Sequence, residues 1–274
     1  DMCFMTKCPY VPPHEFNLDF PHLMLRYRAV EAKRDGVPWN ENQLIQTDRN
    51  GRLAGKVSGL ANWASDRDNK ITRPVIEKIA GVHRDADLPK FVPTSKTFVA
   101  QAENRPPEVN TDAPAHGREA VLYATCFVNY NKPDTGVLAQ RILAKNGVAT
   151  TAMHPHCCGM PQLEQGLMED VASYAKIVAK AFRPQVDAGQ DIIALTPSCA
   201  LMMKFEWPLI VPDDEDVAAL SKATRDITEY IVDIAKKEGL ADGLSALPEP
   251  VALHLACHAR AQNMGQKAAE MLRL

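Results

Sequence analysis

The chain has 274 residues, 46% of them hydrophobic and 24% charged, with a formal net charge of −3. These are ordinary values for a globular protein with one or two cores. The mild acidity and the lack of a basic block exclude an electrostatic nucleic-acid surface. No apolar run reaches the roughly 18–20 residues needed to cross a bilayer, and no signal-peptide pattern is present.

The start, Cys3-Phe4-Met5-Thr6-Lys7-Cys8-Pro9, is a cysteine loop closed by proline, and a helix is expected over Phe20–Asp35. Residues 36–117 are polar and proline-spotted, with one amphipathic helix near Thr72–Val82, and read as a linker with helical segments. From Arg118 the pattern turns to alternating strand and helix. Strands are expected at Ala120–Thr125, Val148–Met153, Asp191–Leu195 and Pro250–Leu255, and helices at Thr135–Asn146, Leu167–Gln185, Cys199–Phe205 and Glu215–Lys237. Short apolar strands alternating with helices imply an α/β fold, a small parallel sheet with helices on its faces.

The chain holds seven cysteines. An odd number, clustered and without an export signal, points to a reducing compartment where thiols serve metals or redox chemistry. Cys126, the pair Cys157-Cys158 and Cys199 each follow directly on an expected strand. Ligand crevices of open α/β sheets lie at the carboxyl ends of strands, so three distant loops should converge there. A vicinal pair is strained as its own disulfide but well placed to put two thiolates on one inorganic core, and Gly159 lets the backbone turn tightly behind it. A single cysteine after a strand is often only a small core residue; a Cys-Cys-Gly with two more strand-end cysteines is not explained that way. Soft thiolates select iron–sulfur clusters, zinc or copper(I). Four of them suffice for a [4Fe–4S] cubane or a tetrahedral zinc.

A weak internal repeat pairs 121–126, ending in Cys126, with 252–257, ending in Cys257. Cys3 and Cys8-Pro9 resemble the end of a bacterial ferredoxin loop, with four intervening residues where three are usual. His154 and His156 are candidate nitrogen ligands for zinc, or solvent-facing residues that tune a cluster by hydrogen bonding. His254 and His258 read as supporting or packing residues beside Cys257. Met202 and Met203 read as core, and Glu164, Asp170 and Asp191 as caps or solvated charges. No glycine-rich nucleotide loop occurs, so neither flavin nor nicotinamide is expected to bind this chain.

Cys126-Phe127-Val128-Asn129-Tyr130-Asn131, Cys157-Cys158-Gly159-Met160-Pro161, Pro197-Ser198-Cys199 with Glu206-Trp207-Pro208, and His254-Leu255-Ala256-Cys257-His258 together resemble the Cys-Cys-Gly domain iron–sulfur oxidoreductase family. That family takes in a heterodisulfide reductase subunit and the iron–sulfur subunits of glycolate oxidase, lactate-utilisation enzymes and anaerobic glycerol-3-phosphate dehydrogenase. The likeness is strongest to the iron–sulfur subunit of the last. The resemblance implies a ferredoxin-like region with two [4Fe–4S] clusters ahead of two Cys-Cys-Gly domains. On it, residues 1–35 are the end of the ferredoxin-like region, 36–117 the linker, 118–249 the first Cys-Cys-Gly domain and 250–274 the start of a second. The chain opens on Asp1 and is expected to be a fragment of a longer protein. Cys3, Cys8, Cys126, Cys157, Cys158, Cys199 and Cys257 become the implied cluster ligands.

The resemblance also implies an electron-transfer subunit that takes electrons from a flavin dehydrogenase partner, of glycerol-3-phosphate or 2-hydroxy-acid type, and passes them toward quinone. Its expected place is the cytoplasm, with attachment to the inner face of the membrane left open. The fullest family motif supplies a fifth cysteine where this chain has Met202, which leaves a cubane or zinc at Cys126, Cys157, Cys158 and Cys199. The alternatives are a cluster-based thiol or disulfide reductase and a zinc-stabilised interaction module.

Overall fold

The computed structural model describes residues 8–245 and 248–274. The loop from Cys3 therefore lies outside the described residues, apart from its last cysteine, Cys8. The core is a four-stranded, all-parallel sheet in the order β2-β1-β3-β4, formed by β1 (Glu119–Tyr123), β2 (Ala149–Met153), β3 (Asp191–Ala194) and β4 (Thr224–Asp226). β1 sits between β2 and β3, with Val121 opposite both Thr151 and Ile192.

Alternation along the central strands supplies two cores, as a period of two residues requires. Val121, Tyr123, Ile192 and Ala194 face α10 (Met168–Asp187), where Val171, Val178 and Phe182 are fully buried. Ala120, Leu122 and Ile193 face the other way, onto Leu143 of α8 (Pro133–Lys145), Phe98 of α6 (Phe98–Asn104) and Tyr230 of α14 (Ile227–Lys237). The sheet is thus covered on both sides, as an all-parallel sheet must be.

Two expectations are corrected. The helix expected over Glu215–Lys237 is two helices, α13 (Glu215–Ala223) and α14, separated by β4. Thr224 and Asp226 are buried because they enter the sheet beside β3, and the Asp226 carboxylate caps α14 in a capping box with Glu229. The strand expected over Pro250–Leu255 is absent: these residues pair with nothing, and Val251 and Leu253 are exposed. A strand exists only through its ladder, and none of these residues is paired to a neighbouring strand.

Residues 36–117 hold α2 (Trp39–Ile45), α3 (Thr47–Lys56), α4 (Ser58–Ala64), α5 (Thr72–Ala80) and α6. Fully buried Arg73 fastens the turn after α5 by donating to the carbonyls of His83, Arg84 and Ala86. α3 lies against α7 (Cys126–Tyr130). It can do so because Gly51 faces the Tyr130 ring, and a Cβ there would stand 2.3 Å from a ring carbon. Gly51→Ala should therefore lower stability despite the better helix propensity of alanine, with overpacking costing about 1–3 kcal/mol against a gain of about 1. A shift in the urea midpoint measures it; an unchanged or raised midpoint would show that Tyr130 gives way freely.

The N-terminal helix α1 (Phe20–Asp35) docks on the same domain. Arg28 donates to the Glu164 carbonyl at 2.7 Å, and His22 Nε2 lies 3.0 Å from the buried Glu206 carboxylate. The hydrogen bond to Glu206, helped by Asp19, pushes the His22 pKa up to about 9. A raised histidine pKa stabilises fully below its ordinary value near 6.5 and ceases to do so as the pH rises through about 9. The α1 contact should thus weaken as the pH rises from about 6.5 to about 9, by about 1–2 kcal/mol once solvent screening is discounted. Hydrogen exchange of α1 amides on either side of that window would read this, and His22→Gln should remove the difference.

Candidate metal centre

Every strand that feeds the site ends at the same edge of the sheet. β1 leads through Thr125 into α7, whose first residue is Cys126. β2 leads through His154-Pro155-His156 to Cys157, Cys158 and Gly159, after which α9 (Met160–Glu164) begins. β3 leads into α11 (Pro197–Leu201), which carries Cys199. In the order β2-β1-β3 the chain leaves β1 for one side and returns on the other, so Cys126 and Cys199 flank the switch point where such sheets hold their ligands. The Thr125 and Thr196 hydroxyls join the two strand ends at 3.1 Å.

The four cysteines meet. Cys126 Sγ lies 3.8 Å from Cys157 Sγ, and Cys158 interacts through its side chain with both Cys157 and Cys199. Cys157, Cys158 and Cys199 are buried. Tyr123, the last residue of β1, is fully buried, and its phenol is pushed well above its ordinary pKa by burial and then by the charges of Cys158, Cys199, Cys157 and Cys126. Its hydroxyl donates to the His156 carbonyl at 2.7 Å, tying the Cys-Cys loop to the strand.

Among the thiols Cys157 is the preferred thiolate. Its pKa is lowered because Cys126 and Cys158 donate to it, and the Thr47 hydroxyl (3.3 Å) and the Gly159 N–H (3.5 Å) add to this. Cys126 and Cys158, as the donors and as buried groups, are pushed up. Gly159 has φ +80°, the left-handed conformation that glycine adopts without penalty and that turns the chain back into α9. Thr125 has φ +49°, a conformation that costs a β-branched residue of order 1–3 kcal/mol and is held here by its own cap on the Val128 N–H.

Sequence reasoning missed the residues that brace this loop from elsewhere. Asp48 on α3 accepts from the Cys157 N–H at 3.1 Å with one oxygen and meets His154 Nε2 at 2.6 Å with the other. Trp207, fully buried at the start of α12 (Trp207–Ile210), donates its indole N–H to the Cys158 carbonyl at 3.1 Å. The only trace of the first brace in the sequence is Thr47-Asp48 at a helix start, which reads as an ordinary cap. The picture of His154 as solvent-facing is corrected: its side chain is 4% exposed because Asp48 draws it inward, against the rings of Tyr123 and Tyr130. His156 packs on the Tyr174 ring.

Met202 and Met203 are fully buried in a five-residue π-helical segment, Met202–Glu206, that follows α11. Cys257 is exposed at the start of α15 (Cys257–Ala261), and Cys8 is half-buried; neither joins the four. Glu164 pairs with Arg28, and Asp191 lies 3.5 Å from Arg225 at the amino end of β3, away from the thiols.

The donor set suits a thiophilic centre: four sulfurs, with no carboxylate among them. The Cys126–Cys157 separation of 3.8 Å matches the sulfur–sulfur edge of about 3.8 Å that follows from a Zn–S bond of about 2.3 Å in a tetrahedron. Among the described residues no three His, Cys, Asp or Glu side chains close around a single-ion position.

Strand-end cysteines are thus gathered at one edge of a parallel sheet covered on both faces. Residues 120–204 match the family model described as Cysteine-rich domain (CCG). The chain is similar to Lactate utilization protein A of Bacillus pumilus (strain SAFR-032), 27% identical over 142 residues, 50% of this chain and 56% of the relative. It is also similar to a subunit of the Anaerobic glycerol-3-phosphate dehydrogenase of Escherichia coli (strain K12), 26% identical over 235 residues, 84% of this chain and 56% of the relative. The chain thus spans about half the length of the curated relatives it matches. No solved structure matches it. No helix among the described residues is long and apolar enough to cross a membrane.

Proposed function

We propose that the chain is part of an iron–sulfur electron-transfer subunit that relays electrons from a flavin-containing dehydrogenase, of glycerol-3-phosphate or 2-hydroxy-acid type, toward quinone. The observation that carries the reading is the meeting of Cys126, Cys157, Cys158 and Cys199 at the carboxyl edge of the sheet. When bound, an iron–sulfur cluster supplies one-electron uptake and release. The chain's own residues hold and insulate it. The four sulfurs are the ligands, Thr47 and the Gly159 N–H direct hydrogen bonds at Cys157, and Trp207 with Asp48 fixes the backbone of the pair. Such hydrogen bonds tune the potential of a metal centre. The names of the relatives, which concern lactate utilisation and glycerol-3-phosphate dehydrogenase, support the dehydrogenase partner. Cys3, Cys8 and Cys257 are assigned to further clusters on the family resemblance alone.

A structural zinc is the second reading, favoured by the 3.8 Å sulfur edge. It requires Cys158 and Cys199 to close on the same point. One experiment separates the two. The full chain is purified without oxygen, its iron, acid-labile sulfide and zinc are counted, and an electron paramagnetic resonance spectrum is recorded after reduction. About four irons with matching sulfide for this centre support the relay. Stoichiometric zinc without sulfide replaces it by the closed structural site.

A further inference from the structure

α1 carries apolar residues on two opposite faces, and the domain uses only one of them. Leu25 packs on the core that holds the cysteines, and His22 and Arg28 reach Glu206 and Glu164. Gly166 lets the α1 backbone approach closely, since a Cβ there would stand 2.6 Å from the Arg28 carbonyl oxygen. The helix is therefore seated in one fixed orientation.

On the far side Phe20, Leu23, Tyr27 and Val30 are 49%, 49%, 56% and 61% exposed. Their spacing of three, four and three residues is that of positions a and d in a coiled-coil seam, and exposed Met24 widens it. In the same heptad His22, Leu25 and Arg28 take positions c, f and b, opposite the seam. Single apolar side chains are ordinary on a surface, whereas a continuous seam along one helix marks an interaction face. Arg26 and Glu31 flank the seam at positions g and e, five residues apart, and neither has a partner at ion-pair distance among the described residues. Positions g and e meet across a parallel pair of helices, so two copies would join these charges twice about a two-fold axis. An antiparallel pair would instead bring the g positions together, and both of these, Arg26 and Lys33, are basic. A 16-residue helix is short for a free coiled coil, but α1 is already folded on the domain and has nothing to nucleate.

We propose that the chain pairs with a second copy of itself through α1, the Phe20–Val30 seams packed in parallel and Arg26 of each copy facing Glu31 of the other. The inference is independent of the relay. The seam lies on the face of α1 turned away from the cysteines, and its pairing needs no metal.

The test is sedimentation equilibrium of the full, anaerobically purified chain. One helix face is smaller than a standard interface, so a reversible monomer–dimer midpoint is expected between about 1 and about 300 µM. The double variant Leu23→Glu, Tyr27→Glu should weaken the dimer at least tenfold while keeping the wild-type unfolding midpoint at low concentration, because both side chains are exposed. Arg26→Glu alone should weaken it about fivefold, and Arg26→Glu combined with Glu31→Arg should restore the wild-type value. A monomer throughout that range, a dimer indifferent to the Leu23 and Tyr27 changes, or a charge exchange that fails to restore pairing would each overturn the proposal. So would phosphatidylglycerol vesicles that bind a monomeric wild-type chain but not the Leu23→Glu, Tyr27→Glu variant, since the seam would then belong to a lipid surface.

Discussion

Cys157→Ser is expected to reduce the iron and sulfide bound at this centre at least tenfold, and to do so more completely than the same change at any other cysteine. Cys157 is where the contacts of the site meet. Its sulfur receives Cys126, Thr47 and the Gly159 N–H, and its backbone N–H is held by Asp48. A serine oxygen is smaller and harder than sulfur, a poor partner for a soft metal, and it would weaken the common acceptor of the Thr47 hydroxyl and the neighbouring thiols. Because the side chain is buried and nearly isosteric, the fold should survive, which a circular dichroism melt would establish on the same sample. Cys257→Ser, at an exposed position apart from the four, should leave this centre's signal in place. If the Cys157→Ser protein kept its full complement of iron and sulfide, the ligand assignment would be wrong.

Asp48→Ala is expected to destabilise the protein by about 3 kcal/mol, the usual cost of removing one member of a buried charged hydrogen-bond pair. Two groups lose their partner at once, the Cys157 N–H and His154 Nε2, and both lie away from water. Urea unfolding measures the loss. Asp48→Asn keeps an acceptor for one of the two and should recover part of it. Both variants should also load metal less well, because the loop that presents Cys157 and Cys158 is no longer fixed to α3. A stability change below about 0.5 kcal/mol for Asp48→Ala would mean that water replaces the carboxylate without penalty.

Much of the sheet was legible from the sequence because its central strands are short apolar runs bounded by turns. Glu119–Tyr123 and Asp191–Ala194 lie close to their expected places. β4 was not legible. Thr224-Arg225-Asp226 is polar and falls inside a stretch whose apolar spacing continues the helical period, so only the neighbouring β3 reveals it as a strand. The opposite error occurred at Pro250–Leu255, where favourable composition found no partner strand. The convergence of the four cysteines followed from topology, since all leave the same edge of a parallel sheet. Their supports did not: Asp48 and Cys157 are 109 residues apart, and nothing local in either stretch announces the contact. The strained Thr125 was equally silent, because a positive φ at a threonine is imposed by tertiary packing rather than by propensity.

The Asp48 bridge has a consequence for where the working unit begins. The matched family region starts at residue 120, yet two groups that steady its cysteine pair come from Thr47 and Asp48. A piece excised at the family boundary would expose the back of the Cys157 loop and the His154 ring to water. Grafting or trimming this module should therefore respect the helical collar as well as the cysteines, for the cysteine-bearing region is only part of the physical unit.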